Sequence, residues 1–482
     1  MLENKKQFVM AFMLILLLSF AGSVTAGPVQ EERPQVIPKE SKETTALRKA
    51  VDAEIDVLSP RLLEMNDWMY QNPESGFVEF EASKMLVEEL EKHGFVVEMG
   101  MPELSADIDE LKLIGGLTPD YSGPPGIPTA FKAKYKGKAE SPVVGIMVEY
   151  DALRGNPPFH GCQHNMQGPT GIGAAIALAK VMEKNDVPGS VWVIGAPAEE
   201  VGPPTKAIQA KSGYLMGIDF MFTSHGTARE TVRTPGGFSS MHIRQMKYTF
   251  HGKPAHAAGD PWHGVSALDS VVLLFHAMDM MREHSEPQFR FHWIINDGGV
   301  APNIVPQLAS TTMWVRHLAD NTKTGSTSPA KAREMIEKKA EQMNTAAKGV
   351  AMATGTTVDV DRYGEYDVGI SVGAFQDVAF QYAVDYGGTN IQERPVPSQW
   401  DETGAASLVV PGAQIRFGTE GIPEVAGHSQ ENADITISEA GHWALVQTAK
   451  VSAAVHLRLL LDESLRERAK AEHAQWKEKY NQ

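Results

Sequence analysis

The stretch His160-Gly161-Cys162-Gln163-His164-Asn165 holds the one cysteine of the 482-residue chain, two positions from an imidazole on either side. A thiolate and an imidazole so spaced in a turn can face one centre. Both are good ligands for zinc-like cations. Three later stretches offer donors to complete such a centre: Ala198-Glu199-Glu200, Ser224-His225-Gly226 and Gly427-His428-Ser429. A lone cysteine is ordinarily a small buried hydrophobe. Its polar neighbours His160, Gln163, His164 and Asn165 are poor company for a dry core.

Cys162, His164, Glu200, His225 and His428 make five donors. A tetrahedral zinc takes fewer, so the set suits two ions sharing ligands. Glu199 and Glu200 are adjacent and repel unless a cation relieves them. The pair makes chemical sense if one binds metal while the other takes a proton from water. Asp151 could orient a ligand from behind.

These residues need a scaffold that brings them together. Val143–Val148 and Ser190–Gly195 are apolar runs suited to buried strands, and Ile218–Thr223 is a third. The stretches 171–184 and 205–214 read as helices between them. This alternation predicts a mostly parallel sheet covered by helices. Asp151, Glu199, Glu200 and His225 then fall just past strand C-termini, the edge where open α/β sheets bind ligands.

From about Ser240 the order changes to β-α-β-β-α-β, with strands near 241–250, 288–295, 307–318 and 356–363 and helices near 262–283 and 329–348. That is the ferredoxin-like order, here an α+β insert. The predicted organisation is a linker over 27–45, a first catalytic part over 46–239, an insert over 240–366 and a second catalytic part over 367–482. Helices are expected at 46–71, 80–93, 372–385 and 438–461, a strand at 413–417, and a solvated helix in the charged tail from 462.

The N-terminus reads differently. Lys5 and Lys6 precede an apolar run from Phe8 to Phe20, and small residues lead to Ala26. This is the pattern of a secretory signal over residues 1–26. The run is shorter than the ~20 residues of a membrane span, which argues for cleavage over anchoring. No later segment reads as apolar enough to cross a bilayer. An exported, periplasmic or secreted protein with one cysteine has no internal disulfide to form, so metal ligation is a use for the thiol. The formal net charge is −16 without a long basic run, which argues against nucleic acid and anionic membranes as partners.

The motifs together resemble the aminoacylase and carboxypeptidase family of co-catalytic metallohydrolases. The resemblance is strongest to the branch containing aminobenzoyl-glutamate hydrolase, hippurate hydrolase and the auxin-conjugate amidohydrolases, and covers about residues 50 to 460. His160-Gly161-Cys162-Gln163-His164 resembles that branch's His-x-Cys-Gly-His motif, with Gln163 where glycine is usual. Glu149-Tyr150-Asp151-Ala152-Leu153 resembles its acidic strand-end motif, and Pro197-Ala198-Glu199-Glu200 its Pro-x-Glu-Glu motif.

The resemblance implies a zinc-exopeptidase-like catalytic domain with an inserted dimerisation domain. It implies Glu199 as general base and Cys162, His164, Glu200, His225 and His428 as ligands of two divalent ions. Lys253-Pro254-Ala255-His256-Ala257-Ala258 resembles the motif whose histidine reaches into the partner's active site of a homodimer. Ala301-Pro302-Asn303-Ile304-Val305-Pro306 resembles a motif with a substrate-binding asparagine, and Arg316 resembles the arginine that holds the substrate carboxylate. Arginine suits a planar carboxylate on chemical grounds also.

The reading is an exported metal-dependent amidohydrolase. Its substrate would be an amide with a free carboxylate: an N-acyl amino acid, an aminobenzoyl-glutamate-like conjugate or a small dipeptide. Zinc and manganese both fit, and the thiolate favours zinc. Two other readings stay open here. One is a non-catalytic metal- or ligand-binding protein on this fold; the other is a hydrolase with Cys162 as nucleophile and His164 beside it.

Overall fold

The computed structural model describes residues 39–101, 126–201, 205–239, 241–318, 328–394 and 403–480. The secretory signal expected over 1–26 lies outside the described residues, as does the linker up to residue 38.

The larger part is a twisted mixed sheet. Its central strands run parallel in the order Ser190–Gly195, Val143–Val148, Phe220–Ala228, Gly412–Gly418 and Gly369–Ser371. Antiparallel strands extend both edges: Phe131–Lys136 then Val96–Met99 on one side, Gly237–Ser239 on the other. Val143–Val148 is buried along its whole length, as an unbroken apolar run must be when helices cover both faces.

The helix His164–Asn185 packs against the sheet on one side and the helix Lys42–Gln71 on the other. Small residues make that approach possible. A methyl group on Gly171 would lie 2.2 Å from Val148, and one on Gly173 2.4 Å from Leu62. Glu439–Leu461 joins the same layer. By length and composition this helix could cross a membrane, contrary to expectation, but most of it is buried as a core helix.

The insert is a four-stranded antiparallel sheet with order Thr357–Tyr366, His242–His251, Leu308–His317, Phe289–Asp297. Helices Ala267–Glu283 and Pro329–Thr354 cover one face. They enclose a core that includes Met246, Tyr248, Phe250, Leu274, Met278, Met313 and Ile336.

Several expected boundaries are corrected. The first helix starts at Lys42, inside the expected linker, because the Ser41 hydroxyl accepts from Thr44 N–H and caps it. The third parallel strand runs on to Ala228, so His225 lies within it rather than past its end. The helix after Cys162 begins at His164, not Gly171. The tail helix Glu463–Tyr480 is packed rather than merely solvated. Leu465, Ala469, His473 and Tyr480 are buried, and the Glu472 carboxylate accepts from the N–H groups of Gly373 and Ala374 at 2.7 and 2.9 Å.

The two chain crossings between the sheet systems meet in a partly buried ionic cluster. Asp367 lies 2.8 Å from His242 Nδ1, 3.4 Å from Arg244 Nη2 and 3.5 Å from Arg333 Nε. The other His242 nitrogen is 3.0 Å from the Pro329 carbonyl, and Arg244 Nε donates to Glu337 at 2.6 Å. Burial alone would raise the Asp367 pKa. The hydrogen bond to His242 and the charges of His242, Arg244 and Arg333 overcome it and hold it well below the ordinary carboxylate value. A depressed acid stabilises the fold fully above its unfolded value of ~4 and loses that contribution as pH falls from there through the lower folded value. Asp367→Asn should therefore destabilise the protein by about 2 kcal/mol in urea unfolding at neutral pH. The gap to wild type should narrow below pH ~4. An unchanged midpoint at neutral pH would show that the cluster does not hold the junction.

Candidate functional site

The stretch 160–165 turns sharply at Gln163, whose φ of 66° is left-handed, and the helix starting at His164 follows at once. Ala198 and His428 also have positive φ, 60° each. A non-glycine residue held there costs about 1–3 kcal/mol, and such strain gathers where surrounding structure dictates the backbone.

The donors converge. Cys162 Sγ is 3.4 Å from His225 Nε2. The rings of His164 and His225 meet edge to face with centroids 5.5 Å apart. His428 Nε2 is 3.8 Å from Glu200 Oε1. Ligand atoms of Cys162, His164 and His225 lie within 4.8 Å of one another, as do those of Cys162, Glu200 and His428. Cys162 belongs to both groups. A third group joins His164 to Glu199 and Glu200.

Asp151 stands behind them. One carboxylate oxygen is 2.9 Å from His164 Nδ1, and the other accepts from Glu200 N–H at 2.9 Å. An imidazole whose Nδ1 hydrogen bonds a carboxylate presents Nε2 for ligation. Among the described residues, His164 Nε2 and Glu200 Oε1 are both buried with no hydrogen-bond partner, although Glu149 Oε2 stands 3.6 Å from the histidine nitrogen. Such atoms are costly unless something fills the gap, and a cation would satisfy both. Burial, then the charge of Glu199, pushes Glu200 up to about 8, which again marks a site crowded with negative charge. The residues present therefore fit two divalent cations.

Further contacts at the site were not foreseen from the sequence. Lys206, only 3% exposed, pairs closely with Glu149 and lies 4.0 Å from Glu199 Oε1. Glu79 is fully buried and pushed up to about 8, first by burial and then by Asp151. It accepts from Ala198 N–H at 2.7 Å and so fixes the backbone just before Glu199. Gln167 bonds Glu149 N–H and the Ser224 carbonyl. Only Gln167 had a usable signal, since it sits one helical turn after His164.

The remaining predicted residues lie on the insert. Arg316 stacks over the Trp314 ring at 5.4 Å, and its buried Nε has no hydrogen-bond partner among the described residues. Burial lowers its pKa, and the Glu199 carboxylate opposes that from across the domain boundary. His256 and Asn303 are exposed. His256 Nδ1 accepts from the N–H groups of Ala258 and Gly259 at 3.2 and 3.0 Å, and the Asn303 carbonyl accepts from Ala257. Among the described residues the hydrogen bonds of His256 stay within its own loop and do not join it to the donor cluster of the same chain.

Comparison with known proteins bears on this arrangement. Residues 237–348 match the peptidase dimerisation domain. The chain is 29% identical over 465 residues to the Xaa-Arg dipeptidase of Mus musculus, covering 92% of this chain and 96% of the relative. It is 29% identical over 330 residues to one of the p-aminobenzoyl-glutamate hydrolase polypeptides of Escherichia coli, covering 64% of this chain and 59% of that one. A dinuclear metal-binding peptidase of the M20 family from Bacillus subtilis has the same fold, with a TM-score of 0.53, 19% identity, and 84% of this chain and 99% of that one covered. In its fold, its insert and these relatives, the chain is similar to the M20 peptidases and amidohydrolases, which supports a hydrolase acting on amide bonds.

Proposed function

We propose that the protein is an exported, homodimeric di-metal amidohydrolase that releases a carboxylate-bearing amino acid from an N-acyl amino acid, an aminobenzoyl-glutamate-like conjugate or a small dipeptide. The observation that carries this reading is the pair of donor groups sharing Cys162, with Glu199 beside them. Cys162, His164 and His225 would hold one ion and Cys162, Glu200 and His428 the other. Zinc is favoured by the thiolate over manganese. When bound, the ions supply Lewis acidity to a water and to the amide carbonyl.

The chain's own groups do the rest. Glu199 takes the water's proton and passes it to the leaving amine. Arg316, stacked on Trp314 and within the field of Glu199, offers a planar fork for the substrate carboxylate. Asp151 keeps His164 and Glu200 aligned. Two backbone N–H groups on His256 Nδ1 leave its Nε2 as the hydrogen-bearing atom. Exposed and bonded only within its loop, that donor suits the carbonyl oxygen in a partner's site.

The insert supports the dimer. Its edge strand Phe289–Asp297 exposes Ile294 at 61%, and the neighbouring helix exposes Val272, Leu273 and Met280. An open apolar edge is a template for a second copy. The names of the mouse and Escherichia coli relatives support a dipeptide or an aminobenzoyl-glutamate-like substrate.

A second reading has one observation in its favour. The 3.4 Å approach of Cys162 to His225 is also that of a nucleophilic pair. Burial raises the thiol pKa well above its ordinary value, which counts against it. Turnover that survives complete chelation would decide for the nucleophile.

Glu199→Gln should keep both ions and lose nearly all turnover, whereas Glu200→Gln should lose metal; a metal-free Glu199→Gln protein in elemental analysis would reverse the roles. Cys162→Ser should lower both metal content and activity, because a hydroxyl is a much weaker ligand than a thiolate. Full occupancy with full activity would remove the thiolate from the site.

His256→Ala should be nearly inactive with its metals retained. Mixed with Glu199→Gln, it should regain about a quarter of wild-type activity, because about half of randomly assorted dimers carry one intact composite site. A demonstrated mixed dimer with no regained activity would place His256 outside the partner's chemistry.

A further inference from the structure

Gln163 stands between two of the donor residues and is the one departure from the glycine usual in its motif. It is 2% exposed, and its backbone is in the left-handed region at φ 66°, where glycine is at ease and glutamine is not. A strained residue persists where its side chain contributes something glycine cannot. Here every polar atom of the amide group is engaged. Oε1 accepts from Thr227 N–H at 2.9 Å, two residues past His225. Nε2 donates to the carbonyl and to the side-chain oxygen of Asn432, both at 3.1 Å.

Asn432 closes the ring. Its Nδ2 donates to the Gly161 carbonyl at 2.7 Å, and His428 N–H donates to the same carbonyl at 3.1 Å. Three segments remote in sequence, each bearing a donor, are thus tied through one amide. They are the turn with Cys162, the strand with His225 and the loop with His428. Gly226 is shaped to this contact, since a methyl group there would lie 2.2 Å from Gln163 Oε1.

We propose that Gln163 is a positioning residue that sets the spacing of Cys162, His225 and His428 and so preorganises the centre for its ions. The inference rests on the reading of those three residues as ligands. An amide is required because the contact needs an acceptor at Thr227 and donors at Asn432 together. Glycine relieves the backbone and leaves the three segments unlinked. Gln163→Gly should therefore fold and melt, in the metal-free state, close to wild type, while its affinity for metal falls. Supporting groups behind ligands change metal affinity by roughly 10–100-fold when removed.

The test is calorimetric titration of zinc into chelator-stripped, full-length wild type, Gln163→Gly and Gln163→Met, with metal-free melting curves for each. Gln163→Met keeps the length of the side chain and removes its hydrogen bonds, so it decides the matter if the glycine variant does not fold. The expected result is two zinc ions on wild type and roughly 10–100-fold weaker binding by the variants, without a matching loss of metal-free melting temperature. Asn432→Ala should weaken binding likewise and add little on top of Gln163→Gly, since both break one network. Wild-type affinity in the folded variants would overturn the role of Gln163 alone. A wild-type protein that takes up no zinc would instead overturn the ligand reading beneath it.

Discussion

The site depends on the two oxygens of Asp151. One meets His164 Nδ1 and the other the Glu200 backbone, each at 2.9 Å. A single buried carboxylate therefore fixes a ring on the helix after Cys162 and the segment after the strand Ser190–Gly195. The arrangement concentrates negative charge. Glu149, Asp151, Glu199 and Glu200 crowd one place, with Lys206 as a buried counter-charge. Two divalent cations would remove most of the remaining penalty, because a cation inverts the local electrostatics of its carboxylates. On the proposed reading stability and function are linked here, as the same groups that burden the metal-free fold would recruit the ions.

The insert adds what the sheet edge lacks. On the proposed reading the donor cluster supplies base and ligands, while the guanidinium of Arg316 and the imidazole of His256 come from the insert. The ionic cluster of His242, Arg244, Asp367 and Glu337 lies where the chain enters and leaves that sheet, so it bears on how Arg316 is presented to Glu199. A second copy against the open strand Phe289–Asp297 would complete the arrangement.

Much of the α/β framework could be read from the chain. Val143–Val148 and Ser190–Gly195 are unbroken apolar runs, and the β-α-β-β-α-β order of the insert follows from clear alternation and helical periods. Sequence pattern and structure part where side-chain polarity masks backbone pairing. Ser224-His225-Gly226 looks like a strand end, yet Phe220–Ala228 continues through it beside Gly412–Gly418. The tail is rich in charge, and its buried residues Leu465, Ala469 and His473 recur at fours within a polar sequence. Among site residues, the cysteine and the acid pair announce themselves by type. Lys206 and Glu79 do not, since a lysine or glutamate near a helix start is ordinarily solvated and only the tertiary fold buries them.

On the proposed reading Cys162 serves two ions at once. X-ray absorption at the zinc edge, on protein carrying two equivalents of zinc, tests it most directly. A sulfur shell at ~2.3 Å and a metal–metal vector at roughly 3.5–4 Å are expected, both lost together in Cys162→Ser. A spectrum with nitrogen and oxygen shells alone, or a single ion with no metal neighbour, would contradict it.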